Sequence, residues 1–132
     1  MADLSTPYGS INTKDMKTML RMEELALLLL AYALSMKTGF AWWWFPLLLL
    51  LPDLSMIGYA SGPRTGAFIY NMFHFRALAI LVAMAGYFSD LRWLVMAGLV
   101  LFGHSTLDRI FGYGLKYPDH FKHTHMGWIG KS

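Results

Sequence analysis

Six side chains in this 132-residue chain have the chemistry of a metal site: Glu24, Asp53, Asn71, His74, His104 and Asp108. Asn71 and His74 are three residues apart, and His104 and Asp108 are four apart. Residues at those intervals share one face of a helix. Imidazole nitrogen suits zinc, iron, copper or nickel, and carboxylate oxygen widens the choice to manganese. Asp53, His74, His104 and Asp108 are the expected ligands of a divalent ion, zinc or iron. Catalytic roles fall to Asp53, His104 and Glu24, the last as a further ligand or general base. The chain has no cysteine, so thiolate sites and disulfides are excluded.

These residues need elements that bring them together. Apolar types make up 56% of the chain and charged residues only 14%. Soluble domains carry about 25% charge, so lipid is expected to cover much of this surface. Four stretches approach the length of about 20 mostly apolar residues that a membrane helix needs. They run roughly 20–37, 42–59, 66–88 and 91–111. Lys37-Thr38-Gly39, Ser61-Gly62-Pro63-Arg64 and Ser89-Asp90 separate them. Such short connections imply antiparallel neighbours. The expected fold is therefore an all-α membrane protein, a four-transmembrane-helix antiparallel bundle over residues 19–112. A polar arm (1–18) precedes it, read as no cleaved signal peptide, and a tail (113–132) folds toward the bundle mouth.

Basic residues set the orientation. Lys14, Lys17, Arg21, Arg64, Arg109, Lys116, Lys122 and Lys131 fall on the side of the termini, and Lys37 and Arg92 on the other. Both termini are then cytoplasmic. Trp42, Trp43 and Trp44 anchor the outer interface, and the net charge of +3 reports orientation rather than a nucleic-acid partner. Glu24 begins the first span, Asp53 ends the second, Asn71 and His74 begin the third, and His104 and Asp108 end the fourth. All lie at one depth of one leaflet. Ionisable groups in hydrocarbon are costly unless they pair or face inward, so a shared interior site is expected. His125 is the tail residue expected to join it as a ligand. Arg64, Arg109 and Lys116 ring the same mouth and, with Asn71, would hold an anionic substrate group. Arg76, near the middle of the third span, has no evident partner.

Together, Pro52-Asp53-Leu54-Ser55-Met56-Ile57-Gly58-Tyr59, Gly62-Pro63-Arg64, Asn71 with His74, His104 with Asp108-Arg109, Gly112-Tyr113-Gly114-Leu115-Lys116 and Thr124-His125-Met126-Gly127 carry a resemblance. The chain resembles, over about 20–130, a bacterial family of small integral membrane proteins catalogued as a domain of unknown function. That resemblance implies four spans in the bacterial inner membrane and supplies no activity. A weaker similarity, through Pro52-Asp53, His74 and the His104–Asp108 pair, is to membrane-bound metal-dependent hydrolases and zinc phospholipase-C-like enzymes.

Three functions compete. The first is a metal-dependent hydrolase acting on a lipid or lipid-linked substrate from the cytoplasmic leaflet. The second is redox, with His74 and His104 as haem ligands or in a non-haem iron site, although crowding carboxylates disfavour haem. The third is a non-catalytic transporter or assembly subunit using the polar cluster for ions. Membrane lipid, and a second copy of the chain, are the expected neighbours.

Overall fold

The computed structural model describes residues 13–113, 115 and 122–129. The regular elements among those residues are helices, apart from one very small hairpin. Helix α1 is Thr13–Met36, α2 is Trp44–Leu48, a 3₁₀ helix spans Leu51–Ser61, α3 is Pro63–His74, α4 is Arg76–Phe88 and α5 is Arg92–Ile110. Strands β1 (His123–Thr124) and β2 (Gly127–Trp128) pair antiparallel.

Helix α1 starts six residues ahead of the boundary expected at residue 19. No Gly or Pro interrupts 13–36, and Asp15 in the first turn favours the N-terminal dipole. Helix α5 is the hub, packing against α1, α2, α3 and α4. Its buried residues include Met96, Leu99 and Val100, which form the core with Ala31 and Phe45, and then Gly103–Thr106, where the polar site begins. Helices α4 and α5 are a tight antiparallel hairpin, joined at Ser89-Asp90-Leu91.

The second expected span is two short helices joined by a turn at Leu49-Leu50, and its second half is wound differently. Pro46 and Pro52 remove two backbone donors, and eleven residues from Leu51 form a 3₁₀ helix. Its three-residue period shows in burial. Pro52 and Ser55 are buried, Asp53, Met56 and Tyr59 are half-buried, and Leu54, Ile57 and Ala60 are exposed. Asp53 thus flanks the stripe that packs on α3. That contact is very close: a Cβ on Gly66 would collide with the Tyr59 ring, and one on Gly58 would come 2.8 Å from Ile69 Cδ1.

The third expected span breaks. Phe75 is extended (φ −85°, ψ 112°), and α3 and α4 meet at a 48° bend. Among the described residues, one continuous helical stretch, Trp44–Ser61, is long and apolar enough to cross a membrane, and the bent α3–α4 pair makes a second if it is one span. Every 18-residue window of α1 contains Arg21, Glu23 and Glu24, and α5 carries Arg92, Asp108 and Arg109 besides His104. Large apolar side chains such as Leu29, Leu54, Ile57, Phe68, Phe88 and Trp93 are exposed.

Candidate metal centre

The structure brings Asp53, His74, His104 and Asp108 to one point. One ligand atom from each lies within 4.8 Å of the others. The 3₁₀ helix supplies Asp53, the last residue of α3 supplies His74, and α5 supplies the other two. The Ser105 hydroxyl donates to the His74 carbonyl at 2.9 Å, fastening the end of α3 to α5. His74 is 3% exposed, His104 1%, Asp108 15% and Asp53 41%, so the group opens to the exterior on the Asp53 side.

Hydrogen bonds fix the ring tautomers. His104 Nδ1 lies 2.6 Å from the Leu49 carbonyl oxygen, and His74 Nδ1 lies 2.8 Å from that of Tyr70. A carbonyl oxygen only accepts, so Nδ1 donates in both rings. In the neutral rings Nε2 then holds a lone pair. Both Nε2 atoms face carboxylates. His104 Nε2 is 3.0 Å from Asp53 Oδ1 and 3.4 Å from Asp108 Oδ2. His74 Nε2 is 3.6 Å and 3.3 Å from the same atoms, and has no hydrogen-bond partner among the described residues.

With both rings neutral, four acceptor atoms point at one another, which is unfavourable without a positive charge between them; that charge is a bound cation or a proton on His104 Nε2, which would then donate to Asp53 Oδ1 at 3.0 Å. The four distances bracket the roughly 3.3 Å edge of a tetrahedron whose corners lie about 2.0–2.1 Å from a zinc ion. Nδ1–H groups held by backbone carbonyls, with Nε2 free to ligate, are the usual outer support of a metal-binding histidine. Tyr70, one turn before His74, supports a third member: its hydroxyl donates to Asp108 Oδ2 at 3.0 Å, and its ring stacks on His74 with centroids 3.7 Å apart. Haem does not fit. The imidazole centroids are only 4.8 Å apart, and the two carboxylate oxygens fill the gap a porphyrin plane would need.

The other expected site residues fall elsewhere. Glu24 is not brought to the quartet: its carboxylate accepts from Arg76 Nη1 at 2.9 Å. The break at Phe75 explains this, because it turns Arg76 onto the start of α4 and away from His74. His125 is also apart. Its Nδ1 accepts the Leu115 N–H at 2.8 Å, and its own N–H donates to the Leu115 carbonyl at 2.9 Å. Burial, with the Arg109 guanidinium nearby, holds His125 below the usual imidazole range. Asn71 is half-buried on α3, and Arg64 is exposed. Arg109 is half-buried and, with Tyr70, His74, Ser105, Asp108 and Tyr113, lines a cavity of about 10 Å³ beside the quartet. Lys116 lies outside the described residues.

Sequence reasoning passed over Tyr70 and Ser105. Tyr70 is four residues before His74, on the same helix face, which is the signal that could have found it. Ser105 carries no such signal, since its partner is a main-chain carbonyl on another helix.

No curated protein and no solved structure matches the chain. A family model does, over residues 17–129, which span every described helix residue of the quartet and its support. The chain belongs to the family described as Domain of unknown function (DUF4260).

Proposed function

We propose that this chain is a four-span protein of the bacterial inner membrane, both termini cytoplasmic, that holds one divalent ion between Asp53, His74, His104 and Asp108. Its reaction is hydrolysis of a lipid or lipid-linked ester or phosphoester reached from the cytoplasmic leaflet. The single observation that carries the reading is the pair of Nε2 lone pairs aimed, with two carboxylate oxygens, at one point. Exposed apolar side chains around the helices support lipid as the surrounding medium.

Bound there, a divalent ion supplies Lewis acidity, polarising an ester or phosphoester oxygen and acidifying water. The chain supplies the rest. Leu49 and Tyr70 carbonyls hold the imidazoles in the ligating tautomer. Tyr70 fixes the Asp108 carboxylate. Asp53, the most exposed member, faces the side from which a substrate would arrive and can take or return a proton there. The α1 carboxylate of Glu24 is engaged by Arg76, which leaves acid–base work to Asp53.

A second reading is favoured by the donor set itself: two histidines with carboxylates also suit non-haem iron and redox chemistry. Elemental analysis of full-length protein purified without chelators addresses both. About one equivalent of zinc supports hydrolysis and about one of iron the redox reading, because such a site retains its ion. The His104→Ala protein should lose it. Less than about a tenth of an equivalent in the wild type would overturn the metal site.

A further inference from the structure

Helices α1 and α4 both pack on α5 but scarcely on each other. Between them lies an apolar groove of about 930 Å³. Leu30 and Leu34 of α1 form one wall, Ile80 and Met84 of α4 the other, and Val95 and Leu99 of α5 the floor. The four wall residues are each about half exposed, so the groove opens to the exterior. One end is shut. There Phe102 lines the groove, and the Arg76 guanidinium carbon lies 6.0 Å from the Phe102 ring centroid. Arg76 Nη1 reaches Glu24 of α1 at 2.9 Å, so the ion pair straps α4 to α1 across that end.

The other end is cationic. Lys37 and Arg92 line it, with Asp90. Arg92 crosses from the start of α5 to the connection after α1. Its Nη1 lies 3.5 Å from the Thr38 carbonyl oxygen and 2.7 Å from where a Cβ on Gly39 would stand. Lys37 immediately precedes Thr38, so both cations belong to one corner. Both are exposed, and neither has an ion-pair partner among the described residues. Trp42 and Trp43 on the same connection are exposed, and indoles favour the headgroup layer of a membrane.

Along α5 the groove runs from Arg92 to Phe102, a rise of about 15 Å. That is one leaflet of a hydrocarbon core about 30 Å thick. A slot of leaflet depth, closed at its inner end and cationic at its mouth, matches an acyl chain that ends in an anionic headgroup. A neighbouring membrane helix is about 10 Å across and runs through both leaflets, so it needs a groove open at both ends. Two cations against Asp90 leave one positive charge, which a monoanionic phosphodiester lipid neutralises and a zwitterionic one does not. We infer that the α1–α4 groove holds an anionic phospholipid, its acyl chain between the two helices and its phosphate on Lys37 and Arg92. None of the quartet lines this groove, so the site is separate from the candidate metal centre. The inference rests on the membrane placement in the proposed function and not on the metal.

The test is native mass spectrometry of the full-length protein in neutral detergent, titrated with phosphatidylglycerol, phosphatidylethanolamine or diacylglycerol of matched chains. One phosphatidylglycerol should bind each protein chain, ahead of the other two lipids. The Lys37→Gln/Arg92→Gln variant should weaken that binding about tenfold or more, as expected for lost charged hydrogen bonds, with helix content unchanged. Arg92→Lys, which keeps the charge, should retain most of it. Leu34→Trp, on the exposed wall, should block the acyl chain and lower retention of phosphatidylglycerol. Phosphatidylethanolamine held as tightly as phosphatidylglycerol, or binding unchanged in the double variant and in Leu34→Trp, would overturn the inference. So would a dimer that Leu34→Trp abolishes and that retains no lipid, which would make a second copy of the chain the occupant. A protein soluble and monodisperse without detergent would overturn the membrane placement as well.

Discussion

Two polar groups are built on different helices around α5 and have opposite appetites. The inner one joins two imidazoles to two carboxylates, with both histidines almost fully buried. The other joins Glu24 to Arg76, both part-buried. Near neighbours in sequence part company between them: His74 joins the quartet and Arg76 pairs with Glu24 across the break at Phe75. With neutral imidazoles the inner group is all acceptors and asks for a cation. The other is already paired, cation to anion. Composition alone would have pooled these residues into one site, and the break in the α3–α4 segment is what separates them.

The largest expected effect belongs to the Glu24–Arg76 pair. Arg76→Leu leaves the mostly buried Glu24 without its partner and should cost about 3 kcal/mol, as breaking such pairs does. The Glu24→Leu/Arg76→Leu double variant should recover most of that loss. Thermal melting in detergent reads the cycle. Equal melting of the single and double variants would show that the two residues are not coupled.

Tyr70→Phe probes the support of the inner group. It removes the hydroxyl from Asp108 without touching a ligand. Metal affinity should fall about 10- to 100-fold, the usual effect of losing an outer partner, with helix content unchanged. Competition with a chelator of known affinity gives the number.

The smallest effect is at His125. Its pKa is lowered in the folded chain, so the unfolded tail binds the proton more readily. The Leu115–His125 contact should be complete above about pH 6.5, the unperturbed imidazole value, and be lost as pH falls through the lowered pKa. The Leu115 amide NMR shift should follow that titration and lose it in His125→Ala.

Much of the inner site was legible in the sequence because helical spacing carries it. His104 and Asp108 share a face by their interval of four, and antiparallel helices bring Asp53 and His74 to their depth. The rest depended on backbone conformations that composition does not encode. Nothing in Phe73-His74-Phe75-Arg76, which has neither Gly nor Pro, signals an extended residue, so Arg76 lacked a partner and Glu24 was drawn toward the metal. The 3₁₀ winding after Pro52 was hidden similarly, since proline starts either kind of helix. His125 was a reasonable ligand by type, but its role depends on a main-chain N–H.

The central claim is that the two Nε2 atoms and two carboxylate oxygens hold one ion. X-ray absorption at the metal edge of the chelator-free, full-length protein tests it most directly. The account predicts two imidazole nitrogens and at least two oxygens at about 2.0–2.1 Å, with imidazole scattering lost stepwise in His74→Ala and His104→Ala. A bound metal whose spectrum shows no imidazole, or a spectrum unchanged by those substitutions, would contradict it.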